Sequence, residues 1–337
     1  MDKKANSSSG KCKTAAYRAN TKKLLILCFA TVAVCGAYLL LNSHLHNPQL
    51  FRYILSLRLP TLAVMLIAAT AIGGATIIFQ SIINNRIVTP CLLGMNSMYT
   101  LVHTAVIFVA GSGSIIAANT QISFAVDIVV MAVTATFIYF YIFRKTGSNV
   151  LYVLLIGTVM SSFFGSIQST MIRVMDPNEY DTLLATLVAD FTNVNSSIIV
   201  FSVVLLGLLA VYLARDLALL DVITLGKNQA INLGVDYDRT IRRLMLGVVI
   251  CIAVATAMVG PISFLGLIIA NLARQLLKTH RHSQLIPAAI LMGMLAVIAG
   301  QIISQHIFSY AVPISTFITI GGGIYFLYLL LFKKGEI

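Results

Sequence analysis

Basic residues are distributed very unevenly among the gaps that separate the long apolar stretches of this chain. Of its 23 lysines and arginines, twenty fall in alternate gaps, and only Arg52, Arg58 and Arg173 fall in the others. An apolar stretch of about 20 residues can cross a bilayer as a helix, and loops rich in Lys and Arg stay on the cytoplasmic side. The alternation therefore predicts an inner- or plasma-membrane protein that crosses the bilayer many times, with both termini in the cytoplasm.

The apolar stretches predict an all-α polytopic membrane protein with about ten transmembrane helices. We expect the spans at residues 24–42, 58–83, 91–110, 122–142, 150–171, 196–213, 241–258, 262–277, 285–306 and 314–332. Residues 1–20 are rich in Lys, Ser and Asn and are expected to form a disordered cytoplasmic tail, whereas residues 21–337 form a single transmembrane domain. Residues 43–57 are expected to form an external loop, and the external stretch 173–195 should contain a short surface helix.

Composition excludes several classes of protein. Hydrophobic residues make up 58% of the chain and charged residues 10%, which leaves no room for a soluble catalytic domain. The net charge of +12 is spread over cytoplasmic loops, so topology and contact with anionic membrane lipid explain it better than nucleic-acid binding. The five cysteines contain no CxxC pair and the six histidines repeat no ligand spacing, so no metal site is expected.

The sequence shows almost no chemistry for coupling transport to an energy source. Of eleven acidic residues, only Asp127 falls within a predicted span, near its external end, although ion-coupled carriers place carboxylates at membrane depth. The phosphate-binding pattern GxxxxGK[ST] does not occur. The chain is therefore expected to be a passive channel or a subunit driven by another chain, with a secondary carrier as a further alternative.

Four short segments carry information together, through their order and their predicted membrane sides. They are Arg58-Leu59-Pro60-Thr61-Leu62-Ala63; Gln80 and Asn84/Asn85 with Pro90-Cys91-Leu92-Leu93-Gly94; Leu225-Gly226 through Ala230 with Leu233-Gly234-Val235; and Gly260-Pro261-Ile262-Ser263-Phe264-Leu265-Gly266-Leu267. With these segments, residues 50–332 resemble the permease subunits of type II ATP-binding-cassette (ABC) importers for iron–siderophore, haem and vitamin B12 uptake, the FecCD family. The resemblance implies the permease fold of that importer class.

The resemblance also implies partners and a cargo. The chain would not be an enzyme and would bind no cofactor directly, because two separate ABC ATPase subunits would bind and hydrolyse ATP. An extracellular substrate-binding protein would deliver the substrate. A ferric siderophore is the first expectation for that substrate, with haem and cobalamin as alternatives.

Several positions depart from the family pattern. Thr61 replaces the second arginine of the family's RLPR segment, and Ala270-Asn271 replaces a Pro-His pair; the other departures are Gly300 for Asp, Ala311 for Glu and Ile324 for Pro. These losses suggest one half of a pair of unlike permeases, in which a homologous partner retains the missing groups.

The cytoplasmic loop 215–240 is the predicted contact with the ATPase. Its paired Leu-Gly steps predict two short helices over Thr224–Arg239, because glycine readily ends a helix in a left-handed conformation. In the family such helices lie in a groove of the ATPase. The residues assigned to coupling by the resemblance are Leu225, Gly226, Ala230, Leu233, Gly234, Val235 and Arg239. An ordinary basic cytoplasmic loop is the alternative.

Two further sets of residues are candidates for handling the substrate and its binding protein. Arg58, at the matched family position, and its neighbour Arg52 are expected to dock the binding protein, since a guanidinium binds a carboxylate through two parallel hydrogen bonds; snorkelling at a helix end is the alternative. Ser162, Ser166 and Ser169, with Gln168 nearby, are expected to share one helix face. That face would line the translocation path, or else would serve close helix packing.

Overall fold

This computed structural model describes residues 2–41, 47–111, 113–114, 119–146, 150–192, 195–309 and 312–332. Within these ranges there are thirteen α-helices, one 3₁₀ helix at Cys91–Leu93 and no strand. The α-helices are α1 (Asp2–Leu40), α2 (Pro48–Ile83), α3 (Met95–Ala110), α4 (Thr120–Thr146), α5 (Val150–Val174), α6 (Pro177–Leu187), α7 (Ser196–Ala218), α8 (Leu220–Ile223), α9 (Lys227–Asn232), α10 (Tyr237–Val259), α11 (Leu265–Leu277), α12 (His282–His306) and α13 (Ile314–Phe332).

The predicted all-helical membrane architecture is confirmed. In the described part of the chain, seven helices are long and apolar enough to cross a membrane, by length and composition: α1, α2, α4, α5, α7, α10 and α12. Three more apolar helices are shorter over the residues searched, namely α3, α11 and α13. The seven long helices coincide with seven of the predicted spans, and the three shorter ones coincide with the remaining three.

Helices α2 and α10 form the centre of the molecule. Val64 and Phe79 of α2 and Leu244 and Ile252 of α10 are completely buried. The two helices pack against each other, while α12 packs on α2 and α4 packs on α10. Because lipid tails are as apolar as these side chains, close packing rather than exclusion from water holds such a centre together.

Helices α1, α5 and α7 lie at the periphery and present apolar side chains outward. Phe29 of α1 is 77% exposed, Leu155 of α5 60% and Val211 of α7 78%. Apolar surface on this scale is a liability in water, whereas a bilayer solvates it. The outward faces therefore agree with a multi-pass membrane protein.

The beginning of α2 corrects the predicted external loop. The helix starts at Pro48 rather than near Arg58, so residues 48–57 are helical; residues 42–46 lie outside the described part of the chain. Asn47 caps the helix through its Oδ1, which accepts a hydrogen bond of 3.2 Å from the Gln49 amide. Proline at the first helical position has a preset backbone and lacks an amide that would go unpaired there.

Helix α1 also extends further than predicted. It runs from Asp2, through the region that composition predicts to be a disordered tail. The ring of Tyr17 lies 5.5 Å from the guanidinium carbon of Arg281. Lys23 donates a hydrogen bond of 2.8 Å to the Leu276 carbonyl. These contacts tie the middle of α1 to α11 and to the residue that precedes α12.

Two short helices, α3 and α11, begin after irregular backbone. Gly94 (φ 98°) precedes α3, and Phe264 (φ 62°) precedes α11. Their 16 and 13 residues reach only about 24 and 20 Å at 1.5 Å per residue, against about 30 Å of hydrocarbon. Irregular backbone at membrane depth is tolerated only where protein buries it, and Ile262 beside it is 2% exposed.

The short helix predicted within residues 173–195 is confirmed as α6, and its external position stays a prediction. Asp176 caps it, accepting a hydrogen bond of 2.9 Å from the Asn178 amide, and Pro177 opens it. The helix packs on α3. Of its residues, Leu183 is completely buried.

Candidate functional site

The segment between α7 and α10, residues 219–236, is called the coupling segment here. It consists of α8, a turn, α9 and a second turn. The turns are made at Gly226 (φ 100°, ψ 162°) and Gly234 (φ 81°). A side chain is disfavoured at both, and the conformation of Gly226 is almost exclusive to glycine. The prediction that these two glycines break the helix is confirmed.

The predicted limits of the two short helices need correction. The first helix begins at Leu220 rather than at Thr224, and it ends before the first glycine. Arg239 lies outside the coupling segment, in the first turn of α10, where its Nε is 3.3 Å from the Asp236 carboxylate. The helix starts at Tyr237 because Asp236 caps it, accepting a hydrogen bond of 3.2 Å from the Arg239 amide.

The coupling segment has a buried side and an exposed apolar side. Leu220, Ile223 and Ala230 are at most 2% exposed and hold it against the body of the protein. Val235 is half-buried, and its amide donates a hydrogen bond of 3.0 Å to the Ala230 carbonyl. The exposed side carries Leu225 (53%), Ile231 (50%) and Leu233 (63%). Exposed aliphatic side chains gathered on a well-anchored loop favour a partner surface.

Ion pairs brace both ends of the coupling segment. At its base, Asp216 of α7, whose side chain is 4% exposed, lies 3.4 Å from Nε of Arg243 of α10. At the far end, Lys227 lies 2.9 Å from Asp238, but both side chains are more than half exposed. Pairs exposed to this degree contribute little, so the Asp216–Arg243 pair, in which the carboxylate is buried and the Arg243 side chain is 42% exposed, is the stronger brace.

A buried histidine also joins the coupling segment to the helices. Asp221 of α8 accepts hydrogen bonds from the backbone amide of His282 (2.9 Å) and from its Nδ1 (2.5 Å). The other ring nitrogen, Nε2, lies 2.6 Å from Oγ of Ser81 on α2. Sequence patterns gave no signal for this cluster, because its three residues come from segments far apart in the chain and match no motif.

Arg58 is engaged within the chain. Its Nη1 donates hydrogen bonds to the carbonyls of Tyr38 (2.8 Å), Leu39 (3.2 Å) and Leu41 (2.5 Å), at the end of α1. The residue is 9% exposed. A cation at a helix C-terminus satisfies carbonyls that have no partner within the helix. This geometry favours the alternative that Arg58 serves a helix end. Arg52, in contrast, is exposed. Docking of the binding protein by either residue stays a prediction.

The polar stripe of α5 is divided between two faces. Ser162, Ser166 and Ser169 are exposed, but Gln168 does not share their face. Its Oε1 accepts a hydrogen bond of 3.0 Å from Thr100, and its Nε2 donates one of 3.2 Å to Thr104. Six residues correspond to about 240° of helix rotation, so Gln168 turns away from Ser162 and onto α3.

A second polar cluster, missed in the sequence, lies between α3, α4 and α6. Nδ1 of His103 donates a hydrogen bond of 2.7 Å to Oδ2 of Asp127, and both side chains are less than a tenth exposed. Nε2 of His103 lies 3.1 Å from the hydroxyl of Thr186 on α6. These residues line a cavity of about 310 Å³. The sequence does not predict a partner for His103, because the His103–Asp127 pair forms only where α3 and α4 meet.

These features define a class of protein. An all-helical chain with seven candidate spans, lipid-compatible outer faces and an anchored apolar loop segment is a multi-pass membrane protein.

Comparison with known proteins identifies the family. The sequence profile of the FecCD transport family matches residues 22–332, and the chain belongs to that family. It is similar to the petrobactin import system permease protein YclO of Bacillus subtilis (strain 168), with 36% identity over 93% of this chain and 98% of that protein. The petrobactin import system permease protein FatC of Bacillus anthracis is 30% identical over 82% of this chain and 78% of its own length.

A solved structure agrees with the fold. The chain superposes on a structure described as an inward-facing conformation of a metal-chelate type ABC transporter, with a TM-score of 0.78 and 23% identity. The match covers 92% of this chain and 99% of that chain. At this identity the likeness establishes the fold alone, and the family match makes this chain a transport component.

Proposed function

We propose that this chain is one permease subunit of an ATP-driven importer that carries a ferric siderophore into the cytoplasm. The observation that carries the proposal is the 36% identity to a petrobactin import permease over nearly the full length of both chains. Petrobactin is accordingly the first candidate for the chelated ligand. Haem and cobalamin remain the alternatives within the same importer class.

The proposed topology has ten transmembrane helices with both termini in the cytoplasm. The alternation of basic gaps supports it, as do the seven long helices and the three shorter apolar ones. In this topology the coupling segment faces the cytoplasm and α6 faces outward.

The proposed ATPase contact is the exposed side of the coupling segment. Leu225, Ile231 and Leu233 would enter a groove of the ATPase, and the two glycine turns would fix their spacing. ATP is bound by that separate subunit in this proposal. Closure of two ATPases would then move two coupling segments together and change the access of the path between two permeases.

The proposed second permease is homologous but not identical. The departures at Thr61, Ala270, Asn271, Gly300, Ala311 and Ile324 support an unlike partner. Exposed Ser162, Ser166 and Ser169 on α5 would line the path between the two subunits. Hydroxyl groups there would let a bulky polar chelate pass without a strong hold on it.

The test begins with purification of the tagged chain from its native membrane in mild detergent, followed by mass spectrometry. We expect a P-loop ATPase and a second permease in near-equal amounts. The complex, placed in proteoliposomes with its binding protein, should take up ⁵⁵Fe-petrobactin only with ATP. Competition by haem or cobalamin instead of ferric siderophore would redirect the substrate assignment.

The same preparation separates the importer from its rivals. A passive channel would carry the probe without ATP, and a secondary carrier would stop when the proton gradient is collapsed while ATP is kept. Recovery of the chain alone, folded and without an ATPase, would contradict the proposal.

A further inference from the structure

The buried histidine beside the coupling segment bridges three separate elements. His282 is the first residue of α12, and its side chain is 5% exposed. Nδ1 and the backbone amide of His282 both donate to Asp221 of α8, while Nε2 reaches Ser81 of α2. One ring therefore connects the coupling segment to two of the helices that form the core. We call this connection the Ser81–His282–Asp221 link.

The arrangement of a serine, a histidine and an aspartate resembles a hydrolase relay, but its surroundings exclude that chemistry. A nucleophilic serine must be accessible to substrate and must lie beside donors for the oxyanion. Ser81 is 3% exposed, and its hydroxyl lies 2.7 Å from the Ile77 carbonyl one turn earlier in the same helix. No ester can reach it there, so the function of the link is connection.

The link accommodates both protonation states of the ring. When the ring is neutral, the Ser81 hydroxyl donates to Nε2 and Nδ1–H donates to Asp221. When the ring is charged, Nε2–H donates to Ser81, whose own proton turns to the Ile77 carbonyl. A polar network that is satisfied in either state holds its elements together without an unpaired buried group.

The other ion pairs at the coupling segment lead elsewhere, although α8 also packs directly on α2. The Asp216–Arg243 pair connects α7 with α10, at the base of the segment. The Lys227–Asp238 pair is exposed and connects the segment only with the start of α10. Among the described ion pairs, the link is thus the one that attaches the coupling segment to α12, and α12 packs along α2.

We propose that His282 is a positioning residue that transmits displacement of the coupling segment to α2 and α12 during each ATP cycle. The inference rests on the proposed function, in which the ATPase moves this segment. A rigid hydrogen-bonded connection at the start of α12 would convert a shift of α8 into a shift of α12 and of α2, on which α12 packs. Without it, α8 would move while α12 stays behind.

The test uses the complete transporter in proteoliposomes with its binding protein and ⁵⁵Fe-petrobactin. In His282→Ala we expect chelate imported per ATP hydrolysed to fall about tenfold, which corresponds to the loss of one hydrogen bond to a charged group. The basal ATPase rate and the assembled complex should be retained. His280→Ala is the matched control, because His280 is an exposed neighbour two residues away.

Two conservative variants test the two contacts of the ring separately. An asparagine amide takes the place of Nδ1, so His282→Asn should keep the contact with Asp221. A glutamine amide takes the place of Nε2, so His282→Gln should keep the contact with Ser81. We expect each to restore part of the import ratio, and Asn more than Gln, because only Asp221 belongs to the coupling segment. A mere loss of packing volume would give no such order.

A second readout does not depend on the cargo. Spin labels at Lys227→Cys and Ile307→Cys, both exposed positions, report the distance between the coupling segment and the far end of α12. The ATP-induced change in this distance should differ between the wild type and His282→Ala. If His282→Ala does not assemble, the same measurements are made on Asp221→Ala, which we expect to fold because that side chain is half exposed.

The proposed role of the link would be overturned by one result. In that result, both His282→Ala and Asp221→Ala keep the wild-type import ratio and the wild-type change in distance on ATP binding. Failure of the proposed function is distinguishable, because it would show in the wild type. A wild type that responds to ATP in the distance measurement but imports no ferric petrobactin would refute the cargo and leave the link standing. A wild type with no ATP response would refute both.

Discussion

At the scale of single residues, the buried His103–Asp127 pair sets a clear expectation for stability. His103→Leu leaves the Asp127 carboxylate buried without its donor, and we expect a loss of about 3–5 kcal/mol. Replacement of both residues by leucine removes the orphaned charge, so the double variant should be more stable than His103→Leu. Thermal unfolding of the detergent-purified chain measures both. A double variant that is less stable than the single one would show that the two residues do not act as a pair.

Arg58 and Arg52, both predicted to be external, allow a structural role to be separated from a docking role. Arg58→Ala removes the donor to three carbonyls at the end of α1 and should lower the free energy of unfolding by about 1.5–3 kcal/mol. Exposed Arg52→Ala should leave the melting temperature unchanged and weaken binding-protein affinity. Thermal unfolding and titration with the binding protein give the two readouts. Equal melting temperatures for Arg58→Ala and wild type would contradict the helix-end role.

At the scale of elements, the coupling segment depends on the backbone of its two glycines. A Cβ at Gly226 or Gly234 would meet nothing within 4 Å, so any cost of substitution comes from the positive φ alone. We expect Gly226→Ala to cost about 1–3 kcal/mol, and Gly234→Asn to be nearly neutral, because asparagine tolerates the left-handed region. Gly207→Ala, on helix α7 with equally open surroundings, is the control that should not destabilise. Thermal unfolding compares the three.

The close contact between α2 and α11 at Gly266 and Thr76 predicts that an added methyl group there overpacks the two helices. A Cβ at Gly266 would collide with Oγ1 of Thr76, a buried hydroxyl that has no hydrogen-bond partner among the described residues. Gly266→Ala should therefore cost about 1–3 kcal/mol through overpacking. Thr76→Ala should restore most of that stability when added to Gly266→Ala, as judged by melting temperature. If the second change brings no recovery, the helices contact each other differently at this point.

Helix positions were largely predictable from the sequence, and their polar contacts were not. Long apolar runs identify spans because a bilayer imposes length and composition on each helix separately. The start of α2 is not predicted from the sequence because residues 48–57 contain polar and aromatic residues typical of a loop at the membrane interface. In the structure, Asn47 caps the helix, which therefore begins at Pro48. Gln168 and the Asp221–His282 contact depend on which helices meet, and nothing local in the chain encodes that.

At the scale of the whole molecule, the distribution of basic residues predicts the side of the membrane for every loop. In a background without the five native cysteines, Asp181→Cys on α6 should react with an impermeant maleimide in intact cells. Lys227→Cys on α9 should react only after the membrane is permeabilised. Mass shift on a gel measures both. Labelling of Lys227→Cys in intact cells would refute the proposed topology, including the cytoplasmic position of the coupling segment.

The shortness of α3 and α11 has a consequence for how the chain is made. A nascent segment leaves the translocon for lipid according to its own length and hydrophobicity. Helices of 16 and 13 residues are shorter than the roughly 20 residues that a helix needs to span the hydrocarbon core. Both therefore have to wait for longer neighbours made later in the chain, α4 and α5 for the first and α12 for the second, before their irregular leading ends can be covered. Biosynthesis of this protein is thus a process in which partly inserted chains exist for a time, and membrane chaperones and quality-control proteases would meet it with these two segments still uncovered.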